Sequence, residues 1–261
     1  MTPSQILHTY ARRYCMDRYN DWSEKYAAIA KNGNDRRGIE YTDEAYATFP
    51  RYNVLSAILL GIEKLDFDCL PPLAELKELL EILAQTSQTI FTENLGNEIA
   101  VAVDQEERDL FCGAIQQAEK NKLSNIEPLF YRRVLDAEEV KKLWQGIEKN
   151  WGADGSYWYP LDSKTHPSLI AYNLNDIDEA ALQKNMHDYI ANTDINRVFE
   201  LREYGDENYL VDLGAEDFCY SGAEGFWISA KNDWIVYCSH ENTITLGGSI
   251  VEAAKGFKAL G

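Results

Sequence analysis

No apolar run in this chain is long enough to cross a membrane. The longest, Val54 to Ile62, falls far short of the roughly 20 residues a spanning helix needs. The stretch MTPSQILHTYARRYCMDRYN has neither an apolar h-region nor a small-residue cleavage site, so no signal peptide is expected and the predicted location is cytoplasmic. Cysteine is sparse and unpaired. Cys15, Cys69, Cys112, Cys219 and Cys238 are scattered, odd in number and never form Cys-x-x-Cys, which excludes a secreted disulfide framework and points to buried thiols. Only four histidines occur, with no His-Glu-x-x-His. His8, His166 and His187 stand alone, so no metal site and no cofactor are expected. No phosphate-cradling glycine loop is present, since SGAEGFW lacks a following Lys-Ser/Thr.

Positive charge is the largest deficit. The 25 Lys and Arg face 43 Asp and Glu, a net charge of −18. Such a surface repels nucleic acid and anionic membrane and steers the chain toward basic partners. The acidity is shared, −7 through Asn125 and −11 after it, and is no detachable tail. The carboxylate pairs Asp66/Asp68 and Glu106/Glu107 read as solvated faces, with nothing to mark an acid–base pair.

What remains is ordinary folded protein, 45% hydrophobic and 26% charged, too apolar for disorder. Residues 1–125 read as a helical region. Ser4 is a candidate cap for a helix that runs to Asn32-Gly33. YNVLSAILLGIEKL is apolar nearly all round, as a buried helix is. Pro71-Pro72 opens a helix predicted to run through LAELKELLEILAQTSQTIFTENL on a Leu73, Leu76, Leu80, Leu83 stripe. NEIAVAVDQEERDLFCGAIQQAEKNK supplies one more. Short connections predict an antiparallel helical bundle.

Residues 126–261 read as an α+β region, either a second domain or part of one continuous unit. Asp136 with Glu139 forms a capping box for AEEVKKLWQGIEKNW, stopped at Gly152. IDEAALQKNMHDYIA is a further helix with Asp176 as its cap. The strands LFYRRVL, RVFELREY, NYLVDL, GFWISA, DWIVYCS and TITLGG follow with short links, which predicts an antiparallel sheet with flanking helices. The fold class is α+β. SIVEAAKGFKAL reads as a closing helix, with TLGGS as its strand-to-helix turn capped by Ser249.

The stretch DWIVYCSHENTITLGG places Cys238, His240 and Glu241 within four residues. With Glu241-Asn242 as a two-residue turn, His240 faces Thr243, Cys238 faces Thr245 and Ser239 faces Ile244. Ile235, Tyr237, Ile244 and Leu246 then form the core side. The Cys238–His240 spacing along a strand, nearly ~7 Å, does not poise a nucleophile beside its base. An enzyme of unknown reaction with Cys238, His240 and Glu241 near its pocket is the alternative reading.

Five of the six tryptophans lie after residue 126, and aromatic residues beside acids suit a protein interface. The segments YRRVLDAEEVKKLW, YWYPL and GFWISAKNDWIVYCSHENTITLGG are similar to bacterial α+β proteins that include toxin-immunity proteins. That resemblance implies an inhibitor covering a basic active site, and it assigns no residue a catalytic role. The expected function is therefore an acidic protein-binding protein with a basic protein partner. Trp158, Tyr159, Trp227, Asp154, Glu224 and Asp233 are its expected contact residues.

Overall fold

In the computed structural model, which describes residues 1–32, 42–118, 126–153, 168–193, 195–203, 207–215 and 217–260, the first helix is capped by Thr2, not by Ser4. Thr2 Oγ1 accepts from Gln5 N–H at 3.2 Å, and Gln5 Oε1 accepts from Thr2 N–H at 2.9 Å. This is a reciprocal capping box, with Pro3 at the first helical position, where its missing N–H is harmless. Ser4 is thereby freed to donate to Pro71 O at 2.7 Å. The chain divides into two compact units, Met1–Leu129 and Phe130–Gly261.

The first unit is helical: α1 (Pro3–Asn32), α2 (Asp43–Tyr46), α3 (Phe49–Glu63), α4 (Leu73–Thr86) and α5 (Glu98–Gln116). Its core takes Leu7, Ala11 and Cys15 from α1, spaced four residues apart. Against them lie Val54, Leu55, Ile58 and Ile62 of α3, Leu76, Leu80 and Ala84 of α4, and Phe111 and Ile115 of α5. Each fully buried large side chain contributes about 1.5–3 kcal/mol of transfer free energy. Helix α4 ends well before the expected Leu95. Ser87 turns extended (ψ 131), and the Thr92 hydroxyl accepts from Thr89 N–H at 2.8 Å and donates to Thr89 O at 3.1 Å in a turn of its own. Hydroxyl side chains that compete for backbone groups end helices in this way. The freed carbonyls are covered by Arg108, whose guanidinium donates to Ala84 O and Ser87 O.

The second unit holds α6 (Ala137–Trp151), α7 (Glu179–Ala191) and strands β1 (Arg132–Val134), β2 (Leu169–Asn173), β3 (Arg197–Arg202), β4 (Tyr209–Asp212), β5 (Gly225–Ile228), β6 (Trp234–Cys238) and β7 (Thr243–Gly248). The fold is α+β. The Asp136/Glu139 capping box opens α6, and Gly152, at φ 77, closes it. Asp178, not Asp176, caps α7 by accepting from Ala181 N–H at 3.0 Å. Asp176 instead ends a 3-10 turn that fills the preceding step.

The strands form one antiparallel sheet in the order β1-β4-β3-β5-β6-β7-β2. Strand β2, absent from the strands expected above, adds to β7 as an edge. Both sheet faces are covered. Leu201, Phe226, Ile228, Ile235 and Tyr237 lie in one core with Ile147 and Trp151 of α6. Val198, Trp227, Trp234, Val236, Cys238, Ile244 and Leu246 lie in another with Leu182, Met186 and Ile190 of α7. This explains why β5 and β6 are buried at every position. Two-sided burial erases the alternation that a half-exposed strand displays. The closing segment is a 3-10 turn, Ser249–Ala254, rather than the expected long helix.

The β6–β7 hairpin is one residue out of the expected register. Cys238 pairs with Ile244 and Tyr237 with Thr245. Asn242 takes φ 60, so the loop is the three residues His240–Asn242, closed by Ser239 N–H to Thr243 O at 3.1 Å. The Ser239 and Thr243 hydroxyls also meet, at 2.7 Å. An αL residue after a type I turn adds one position to the loop. A one-residue slip moves the whole second strand to the other face. Ile244 and Leu246 therefore share a core with Val236 and Cys238, while Ile235 and Tyr237 belong to the opposite one.

Candidate functional site

The expected contact residues separate on the structure. Asp154, Trp158 and Tyr159 lie outside the described residues. Trp227 is 0% exposed, set edge-on to Phe218 with the Arg202 guanidinium 5.2 Å from its ring. It is a core residue. Glu224 is also buried. Asp233 is exposed, and its side chain ties the β5–β6 turn by accepting from Ser229 Oγ.

The Cys238–His240–Glu241 grouping also comes apart. Cys238 is 0% exposed, and its thiol donates to Phe218 O at 3.2 Å. Burial pushes its pKa well above the ordinary thiol range, the reverse of what a nucleophile needs. It belongs to the core under α7. His240 instead reaches Glu224, beside the α6 face, and Glu241 is exposed in the loop. Among the described residues no group of His, Cys, Asp or Glu is arranged to hold a metal ion. His166 lies outside them.

The sheet does assemble a cluster that sequence reading missed. The residue that follows β3 is Glu203, and the residue leading into β5 is Glu224. Glu203 N–H donates to Glu224 O at 3.2 Å, extending the β3–β5 ladder by one step. Antiparallel pairing at that step brings the two acids together. The Tyr237 hydroxyl from β6 donates to Glu224 Oε2, and His240 Nδ1 from the hairpin loop donates to Glu224 Oε1. Tyr220 flanks the imidazole with its ring centre 6.4 Å away.

The electrostatics of this cluster follow from burial. Glu203 is 5% exposed, and its Oε1 has no hydrogen-bond partner among the described residues. Removal from water, reinforced by the Glu224 charge, pushes its pKa up to about 7, with His240 pulling the other way. An orphaned carboxylate oxygen is costly in such a place, and holding the proton relieves that cost. The hydrogen bond to Glu224 raises the His240 pKa above its ordinary value. Arg202, adjacent to Glu203, is occupied by Glu200, which accepts from its Nε at 2.7 Å. The glutamate–arginine spacing in FELRE was a signal for that buried pair. Nothing in the sequence brought residues 203, 224 and 240 together, because only the strand order does so.

Among the described residues, seven arginines pair with the chain's own carboxylates. Arg12 pairs with Glu63 at 2.8 Å, both buried. Arg18 and Arg51 converge on Glu107 at 2.7 Å each, and Arg108 meets Asp104 at 2.7 Å. In the second unit Arg133 holds Glu139, Arg197 holds Asp212 and Arg202 holds Glu200. Glu107, expected on a solvated face, is fully buried. Comparison with protein-family models, curated proteins and solved structures returned no match.

Proposed function

We propose that the protein is an acidic protein-binding protein whose partner is basic, working in the manner of an immunity-type inhibitor of a toxin. One observation carries this reading. The arginines named above are held by the chain's own carboxylates, and Arg12, Arg51, Arg108, Arg133 and Arg202 are largely enclosed. Arginine is the residue that would otherwise soften an acidic surface and anchor an interface. Exposed acids such as Asp176, Asp178, Glu179, Asp217, Asp233 and Glu241 are left to dominate the field around the second unit. A field of one sign speeds encounter with a partner of the other and repels competitors.

The contact set changes with the structure. Asp233 stays in it. Trp227 and Glu224 leave it because they are buried. Asp154, Trp158 and Tyr159 remain in the proposal and are tested by substitution. The enzyme alternative through Cys238 and His240 loses its geometric support, since the thiol is buried in a separate core.

The test is affinity capture with the full chain from an extract of its own host, including the product of any adjacent gene. Capture is run at low and at high salt. A basic protein retained at low salt, and lost when Asp154, Trp158, Tyr159 and Asp233 are replaced together, supports the reading. Recovery of no basic protein at low salt overturns it.

A further inference from the structure

We infer that the Glu203–Glu224–His240 cluster is a pH-operated latch that fastens the tip of the β6–β7 hairpin to the ends of β3 and β5. Three separate chain segments meet there. Glu203 directly follows β3, Glu224 directly precedes β5, and His240 is the first residue of the hairpin loop. The loop reaches the strand ends through the His240 imidazole, whose side chain is 56% exposed and bonded to a carboxylate 9% exposed. The fastening is thus between a solvent-accessible titratable group and an enclosed one.

The proton count sets the direction. In the protonated state Glu203 is neutral and His240 is a cation. The Glu224 carboxylate then accepts from one imidazolium and one phenol, and the three groups sum to zero charge. As the pH rises Glu203 and His240 each give up a proton. Two carboxylates then face each other across one ladder step beside a neutral imidazole, a sum of −2. Like charges sharing one enclosed site repel strongly.

No other described group offsets this. Glu241, next to His240, adds negative charge. Arg202 is engaged by Glu200. Helix α6, packed over this face, contributes the apolar side chains Leu143, Trp144, Ile147 and Trp151. Among the described residues only Glu224 and His240 act electrostatically on Glu203. Glu203 loses its proton near pH 7 and His240 above its ordinary 6.5, and the two losses act in the same direction. The sheet beneath the latch is buried on both faces, so the loop is the part free to respond.

The experiment is hydrogen exchange on the full chain, corrected for the intrinsic pH dependence of the chemistry. Amides of residues 239–243 are compared at about pH 5.5 and about pH 8.5, with amides of β5 and β6 as internal reference. The latch predicts that protection of the tip falls by about tenfold or more across this range while the reference amides hold. Glu203→Gln, a neutral mimic of the protonated acid, keeps the tip protected at the higher pH. A second readout needs no variant: NMR titration of His240 in the wild-type protein shows a midpoint above the ordinary histidine value of 6.5. Equal tip protection at both pH values, or an ordinary His240 midpoint, overturns the inference. So does a Glu203→Gln protein that loosens with pH as the wild type does.

Discussion

Replacing Glu107 by alanine removes the carboxylate on which two guanidinium groups converge. Glu107 is fully buried and accepts from Arg18 Nε and Nη2 at 2.7–3.0 Å and from Arg51 Nη1 at 2.7 Å. Breaking a buried pair by deleting one partner costs about 3–5 kcal/mol, because a charge is left uncompensated. Two features of the site reduce that figure. Arg18 has a side chain 31% exposed and turns to water once released, so its share is screened. Arg51 is better enclosed but keeps Glu106 at 2.6 Å and Ala47 O at 3.0 Å. The expected cost is therefore about 2–3 kcal/mol, most of it from Arg51 and the lost packing. For a unit of this size that lowers its melting temperature by roughly 8–12 °C. Calorimetry or circular dichroism reads it, with the second unit as internal control. A shift under about 2 °C would show that the Glu107 site is wet and its arginines already solvated, against the burial argument.

Further outcomes follow from pH, sterics and thiol burial. His8 is buried, and removal from water lowers its pKa from 6.5 to about 4. The unfolded chain takes up that proton first, so first-unit stability is full above 6.5 and is lost as the pH falls toward 4. The full loss is about 3 kcal/mol by linkage. His8→Gln removes this acid sensitivity, and melting curves across the range check it. Glu203 has the opposite sign: its folded pKa is raised, so its contribution is present at low pH and is lost as the pH rises toward 7. Gly248 has φ +72, and a Cβ there would lie 2.2 Å from Asp233 O. Gly248→Ala therefore costs about 3 kcal/mol or more, read as a lowered denaturation midpoint of the second unit. Thiol labelling separates the cysteines: Cys69 is exposed, while Cys15 and Cys238 are buried and their thiols pushed up. Cys69 reacts in the native protein, and Cys15 and Cys238 react only after unfolding.

Much of the fold was legible because local signals agreed with it. The Asp136/Glu139 capping box, the Gly152 stop and the three- and four-residue leucine spacing of α4 all act within a few residues of themselves. The failures came where distance decides. Strand β2 is an edge partner supplied from far along the chain. The core side of the hairpin was misassigned because Asn242 adopts a left-handed conformation and lengthens the loop by one. Glu107 looked like a surface acid beside Glu106 until α1 and α3 brought arginines onto it. The candidate cluster was half visible. The sequence places His240 at the hairpin tip, but its carboxylate partner is set by strand order. Trp227 reads as an interface residue in the sequence because a buried aromatic and an exposed one look alike there.

The most direct test of the central claim is the association rate of the captured partner as a function of salt. Charge-steered encounter requires the rate to fall by about tenfold or more between about 20 mM and 500 mM salt. Charge-reversing substitutions at Asp233 and its acidic neighbours should flatten that dependence while changing dissociation far less. A rate insensitive to salt would contradict the account, because the acidic field would then play no part in bringing the partner to the protein.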